Sequence, residues 1–172
     1  MSRIRYGVAM SLDGYIAGPN GEADWIVPDP EVDFAALWAQ FDTGIMGRRT
    51  YQAALPRLGE AAFQGMKVVV VSRTLRPADY PKATILSELK GHHLQAIRAK
   101  SRKDIWLFGG GELFRTLLEM GEVDTVEVSV MPVLLGGGVP LLPSPAQRAR
   151  LKLASHKIYR SGIVSLVYDV QN

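Results

Sequence analysis

Short apolar runs alternate along the chain with longer stretches of helical periodicity. Ile4-Arg5-Tyr6-Gly7-Val8-Ala9-Met10 reads as a first strand, closed by the turn signal Ser11-Leu12-Asp13-Gly14. Tyr15-Ile16-Ala17 is a short apolar piece, and Gly18-Pro19-Asn20-Gly21 is loop. Asp29-Pro30-Glu31 has the form of a helix start, with an acid at the cap, Pro at the first position and an acid in the first turn. Phe34, Leu37, Trp38 and Phe41 follow at i, i+3, i+4 and i+7, which predicts one apolar helical face.

Thr43-Gly44-Ile45-Met46 is a short buried strand that runs into Gly47-Arg48-Arg49-Thr50 and a helix-like stretch. Lys67 to Val71 is a β-branched strand ending in Ser72-Arg73-Thr74. Gly91 to Lys100 is helical. Asp104 to Phe108 is a strand that meets Gly109-Gly110-Gly111 and a helix over Glu112 to Met120. Thr125 to Met131 alternates as a strand, and Gly136-Gly137-Gly138 marks a long loop. Ala154 to Tyr159 and Ile163 to Val170 flank Ser161-Gly162 as a closing hairpin. Strands alternating with helices predict an α/β fold whose mixed sheet is mostly parallel, with an antiparallel C-terminal hairpin. No linker divides the chain, so residues 1–172 are expected to form one domain.

Composition narrows the chemistry. There is no cysteine, which removes disulfides, thiolate zinc sites, iron–sulfur clusters and a thiol nucleophile, and fits a reducing compartment such as the cytoplasm. No membrane span is expected, because no window approaches the length of apolar sequence a span needs. The net charge of +3 is too small and dispersed to predict nucleic-acid binding. His92-His93 has no third ligand at suitable spacing, so no metal site is expected.

Three strands end in turns suited to phosphate: Gly47-Arg48-Arg49-Thr50, Ser72-Arg73-Thr74 and Gly109-Gly110-Gly111-Glu112. Ligands of parallel sheets bind at the carboxyl ends of strands, so all three can face one crevice. Glycine allows close approach of the backbone, helix starts offer free N–H groups, and arginine adds fixed charge. A two-glycine Rossmann fingerprint is not met, because Phe114 occupies its third small position.

Taken in order, the motifs resemble the dihydrofolate reductase-like superfamily, and within it the C-terminal reductase domain of riboflavin biosynthesis. They are Ser11 to Ala17, Ile45 to Tyr51, Val70 to Arg73, Phe108 to Leu113 and Met131 to Gly136. The resemblance implies a three-layer α-β-α fold that binds NADPH. It implies Ala9 and Ile16 beside the nicotinamide, and Gly47, Arg48, Arg49 and Thr50 on the pyrophosphate and 2′-phosphate. It places Ser72 and Arg73 on the adenine side, and Gly109, Gly110, Gly111, Glu112 and Leu113 at the pyrophosphate and the helix beneath it. Three arginines near one crevice favour NADPH over NADH.

On the substrate side, the resemblance draws attention to a carboxylate on the first helix. Asp33 stands in comparable phase, with Glu31 as competitor; both also suit a helix start on electrostatic grounds alone. Trp25, Phe34 and Leu37 can form a wall for a flat ring, or belong to the core. Ser129 occupies a strand position where such proteins present a hydroxyl. The implied activity is hydride transfer from NADPH to a small flat heterocycle, pterin-like or 5-amino-6-(5-phosphoribosylamino)uracil-like. An NADPH-binding module without turnover is the alternative. The small-molecule substrate is the expected partner, with a homodimer also implied by the resemblance.

Overall fold

The computed structural model describes residues 1–58, 63 and 65–171. Its strands are β1 (Ile4–Ser11), β2 (Tyr15–Ala17), β3 (Phe41–Gly47), β4 (Lys67–Val71) and β5 (Ala83–Leu86) in the first half. β6 (Asp104–Gly109), β7 (Thr125–Met131), β8 (Val139–Pro140), β9 (Arg150–Ile158) and β10 (Val164–Gln171) follow. The helices are α1 (Phe34–Trp38), α2 (Arg48–Leu58), α3 (Gly91–Lys100) and α4 (Gly111–Glu119).

Eight strands form one sheet in the order β5-β4-β3-β6-β1-β7-β10-β9. β10 runs antiparallel to both β7 and β9, and every other pairing is parallel. The two-residue period of a strand sends alternate side chains to opposite faces. Ile45, Val69, Ile105 and Leu107 enter one core with Leu94 of α3 and Phe114 and Leu117 of α4. Met46, Val68 and Val70 enter a second core with Tyr51 and Ala54 of α2. Helices therefore cover both faces, giving the expected three layers.

The second face changes character at β1, β7 and β10. Register places Gly7 beside Glu127, Ala9 beside Ser129, and Ser165 beyond Ser129. Gly7 is small for a reason: a Cβ there would stand 3.0 Å from the Trp106 indole nitrogen, which donates to Gly7 O. Arg5 closes the amino end of this strip. Its Nε and Nη2 donate to Glu127 at 2.6 and 2.9 Å, and its guanidinium lies over the Phe41 ring. Hydrogen bonding to Glu127 holds Arg5 above its ordinary pKa.

The helix expected from Asp29-Pro30-Glu31 does not form there. Asp29 closes a turn instead, accepting from the Glu31 backbone N–H at 2.7 Å. Short acidic side chains offer the backbone this alternative to a helix. α1 begins only at Phe34, and Phe41 opens β3, where it is buried. Sheet burial outweighs the helical spacing of that phenylalanine. β5 and β8 add pairings that local pattern did not predict, and β9 starts at Arg150 rather than Ala154.

The two faces make the cost of truncation predictable. Leu107 is fully buried on the central β6, whereas Leu153 on the edge strand β9 is 48% exposed. Leu107→Ala is expected to cost about 2–5 kcal/mol of unfolding free energy in urea. Leu153→Ala is expected to cost less than about 1 kcal/mol in the same measurement.

Candidate functional site

The carboxyl ends of β3 and β6 meet at the middle of the sheet, with Met46 opposite Gly109. Each strand runs straight into a helix, β3 into α2 at Arg48 and β6 into α4 at Gly111. The two turns touch. A Cβ on Gly47 would lie 3.9 Å from Gly109 O, and one on Gly110 would lie 3.5 Å from Thr50 Oγ1. Gly109 itself has φ +123°, a backbone conformation that glycine tolerates and other residues rarely adopt. Gly110 caps α4 without a side-chain hydrogen bond. The first amides of α4 are thus left for a ligand, at the positive end of the helix.

Arginines follow the ends of β3 and β4. Arg48 opens α2 half-buried and reaches Gln52, while Arg49 and Arg73 are exposed. No acid lies in the first turn of α2. Ser72 follows β4, next to Gly47 through the pairing of Gly47 with Val71. Ser72 is buried, and its Oγ accepts from the Thr74 and Leu75 backbone N–H groups, so it shapes the Arg73 turn. Glu88 sits within the field of Arg73 and holds an ion pair with Lys90 at 2.7 Å; hydrogen bonding to Lys90 lowers its pKa. Of the α4 pair, Leu113 packs on the core and Glu112 is exposed, paired with Arg115. A diphosphate fits these donors: amides of a helix start, glycines without side chains, and arginines at the rim.

The fourth wall comes from the β1–β2 turn and the loop after β7. Asp13 accepts from the backbone N–H of Leu135 at 3.0 Å and of Gly136 at 2.7 Å. Ser11, fully buried, donates to Asp13 at 2.6 Å and accepts from Tyr15 N–H. The Ser11 hydroxyl and these amides lower the Asp13 carboxyl to about 2. Ile16 lies in β2, which pairs with β8. Ala9 is on β1, on the strip with Ser129.

The substrate-side residues are less tightly gathered. Asp33 is exposed and caps α1, its Oδ1 accepting from Ala36 N–H at 2.9 Å. α1 buries none of its residues, and Phe34 is 44% exposed. Leu37 and Trp25 are half-buried, and the Trp25 indole donates to Glu22 O. Glu31 turns outward to Arg160 at 3.6 Å. Ser129 gains a partner across the sheet, Ser165, with hydroxyls 3.2 Å apart. Asp29 is buried, and hydrogen bonding from Ser161 lowers its pKa, tying the segment before α1 to the β9–β10 turn. Ser165 and Asp13 were not anticipated as site residues. The first becomes visible only once register is known; the second is hidden in an ordinary turn signal. Among the described residues no cluster of metal-ligating side chains is present, and no helix is long and apolar enough to cross a membrane.

Comparison with known proteins adds to this geometry. Residues 3–165 match the model of the RibD C-terminal domain. The chain is 33% identical to YyaP of Bacillus subtilis strain 168 over 96% of this chain and 94% of that protein. It is 28% identical to the riboflavin biosynthesis protein RibD of Mycobacterium tuberculosis, spanning 44% of that longer protein. A crystal structure of a Shewanella sp. PV-4 protein assigned to riboflavin biosynthesis superposes with a TM-score of 0.81 at 26% identity, each chain covered fully. A Thermotoga maritima deaminase and 5-amino-6-(5-phosphoribosylamino)uracil reductase shares the fold, with a TM-score of 0.69 over 57% of its chain. The chain belongs to the RibD C-terminal domain family and has its dihydrofolate reductase-like fold.

Proposed function

We propose that this protein is an NADPH-dependent reductase of a small flat heterocycle. The observation that carries this reading is the meeting of the β3 and β6 glycine turns, each opening a helix, with arginines at the rim. Gly47, Thr50 and Gly109 to Gly111 would hold the pyrophosphate, with Glu112 and Leu113 starting the helix below. Arg48, Arg49 and Arg73 would take the 2′-phosphate, with Ser72 shaping the adenine side. Ala9 and Ile16 would flank the nicotinamide. NADPH supplies the hydride; the protein orients donor and acceptor and keeps water away. The Thermotoga maritima protein that shares the fold, a deaminase and 5-amino-6-(5-phosphoribosylamino)uracil reductase, supports the same reading.

The substrate would lie on the second face of the sheet, over Gly7 and Ala9. Ser129 and Ser165 would offer hydroxyls, and Trp25, Phe34 and Leu37 an apolar wall. Charges of both signs border this face. Residues 6–47 hold seven carboxylates and no lysine or arginine, and Arg5 is engaged by Glu127, Gln40 and Asp104, while Lys157 lies opposite Ser165 on the same face and within the field of Asp29. The heterocycle is pterin-like or ribosylaminopyrimidine-like, and Lys157 is the cation on this face that a phosphate would meet. Asp33 is the carboxylate assigned to substrate binding or protonation.

Titration with NADPH and NADH tests the cofactor site. A charged hydrogen bond is worth about 1.5–3 kcal/mol. Replacing Arg48, Arg49 and Arg73 with Ala is therefore expected to weaken NADPH about tenfold or more, with little change for NADH. Equal weakening of both would remove the arginines from the 2′-phosphate. Substrate-dependent NADPH oxidation then separates an enzyme from a module that only binds.

Asp33→Asn separates capping from chemistry, because Asn caps helices as well as Asp. With a heterocycle that turns over, kcat/KM is expected to fall about tenfold or more, while the melting temperature holds. An unchanged kcat/KM across pH would leave Asp33 as a cap alone.

A further inference from the structure

The ribbon that carries Ile16 is too short to support itself. β2 and β8 share two partner pairs, Tyr15 with Pro140 and Ala17 with Val139. An isolated two-stranded hairpin is at best marginal in water even at greater length. Three consecutive glycines, Gly136 to Gly138, precede β8, and Gly136 and Gly137 have open space where a Cβ would stand. Such a segment keeps its place only through ties to its surroundings.

Most of those ties are backbone to backbone. Leu12 N–H donates to Val133 O, and Leu141 N–H donates to Gly14 O, both at 2.9 Å. Gly138 lies so close to Ala17 O that a Cβ would approach within 2.1 Å. The side-chain tie is Asp13. Its carboxylate takes the two consecutive amides of Leu135 and Gly136, while the buried Ser11 hydroxyl orients it from below. The same loop reaches the pyrophosphate turn, because a Cβ on Gly111 would fall 2.8 Å from Pro140 O. One carboxylate thus joins the end of β1, the glycine loop, the β2–β8 ribbon and the start of α4.

We propose that Asp13 is a positioning residue for the nicotinamide end of the crevice, acting by holding the 133–138 loop and, through it, Ile16. This rests on the NADPH reading of the crevice. Asp13 touches no ligand in this role. The adenosine end, built by Arg48, Arg49, Ser72 and Arg73, lies on other strands and does not depend on it.

The test uses Asp13→Asn, which keeps size and shape but offers one acceptor oxygen where the two amides and Ser11 need two. In the ligand-free protein, hydrogen exchange at the Leu135 and Gly136 amides is expected to quicken, with the melting temperature nearly kept. By calorimetry, NADPH is expected to bind about tenfold more weakly to the variant, the loss of one charge-assisted hydrogen bond. Binding of 2′,5′-ADP, which has only the adenosine half, is expected to stay the same. Unchanged exchange at those two amides, or equal weakening of NADPH and 2′,5′-ADP, would overturn the role. If the unaltered protein bound neither ligand, the NADPH reading would fall, and this role for Asp13 with it.

Discussion

The absence of side chains at the ends of two adjacent strands is the constraint on which the site depends. β3 and β6 are neighbours at the centre of the sheet, and both end in glycine. Any larger residue at Gly109 would also need a positive φ that L side chains rarely adopt. Because both turns stay bare, α2 and α4 start close together and aim their free amides at the same volume. The flanking loops depend on the same economy of space. Gly111 lets Pro140 and Pro143 lie against the start of α4, and that contact brings the loop after β7 over the crevice. The fold and the candidate site share one steric origin.

Charge is divided along the chain just as sharply. The seven carboxylates of residues 6–47 precede the arginines that ring the glycine turns. Most acids whose partners are resolved accept from backbone or a neighbouring polar group, while Glu31 faces Arg160. Asp13 takes two loop amides, Glu22 takes Asn20, Asp33 caps α1, and Asp42 takes the amides of Arg102 and Lys103. Six of the seven lie in residues 12–33, where β2 is the regular element; such a stretch must find acceptors for many N–H groups, and a carboxylate supplies two oxygens that lysine and arginine lack. The acidity of this segment is therefore a structural solution with an electrostatic consequence. It places carboxylates beside the sheet face over Gly7 and Ala9, where Lys157 and Arg160 of the C-terminal hairpin answer Asp29 and Glu31.

Much of the fold was legible because it depends on local signals. The β-branched run Lys67 to Val71 and the glycine triplet after β6 name their elements directly. The three phosphate-friendly turns could be placed on one edge because parallel strands point the same way. The first helix starts later than its sequence pattern predicts because Asp29-Pro30 can serve a turn as well as a cap, and the buried tie to Ser161 more than a hundred residues away favours the turn. Ser165 illustrates a different limit. It matters only as the cross-strand partner of Ser129, and register between β7 and β10 is set by the whole sheet. Asp13 looked like any acid of a Ser-x-Asp-Gly turn, since its partners Leu135 and Gly136 come from the other side of the site.

The edge of the sheet completes the same logic. β9 is exposed along its whole length, with Leu151, Leu153 and Ile158 among its side chains. An open strand of this kind invites pairing with other chains, and proteins commonly blunt such edges with cations and irregular register. β9 has both. Arg150, Lys152 and Lys157 lie along it, and Ala154 is an extra residue against β10, where pairing shifts between Val167 and Tyr168. Two copies of this strand set antiparallel would bring like charges together without a compensating acid on either. Whereas Lys157 also shares the face of Ser165 and Ser129, Arg150 and Lys152 thus have an explanation in sheet chemistry. The arginines at the glycine turns do not, because those strands are interior and their edges are already paired. Position within the sheet, more than the count of positive charges, separates a cation that guards an edge from one that an edge does not explain.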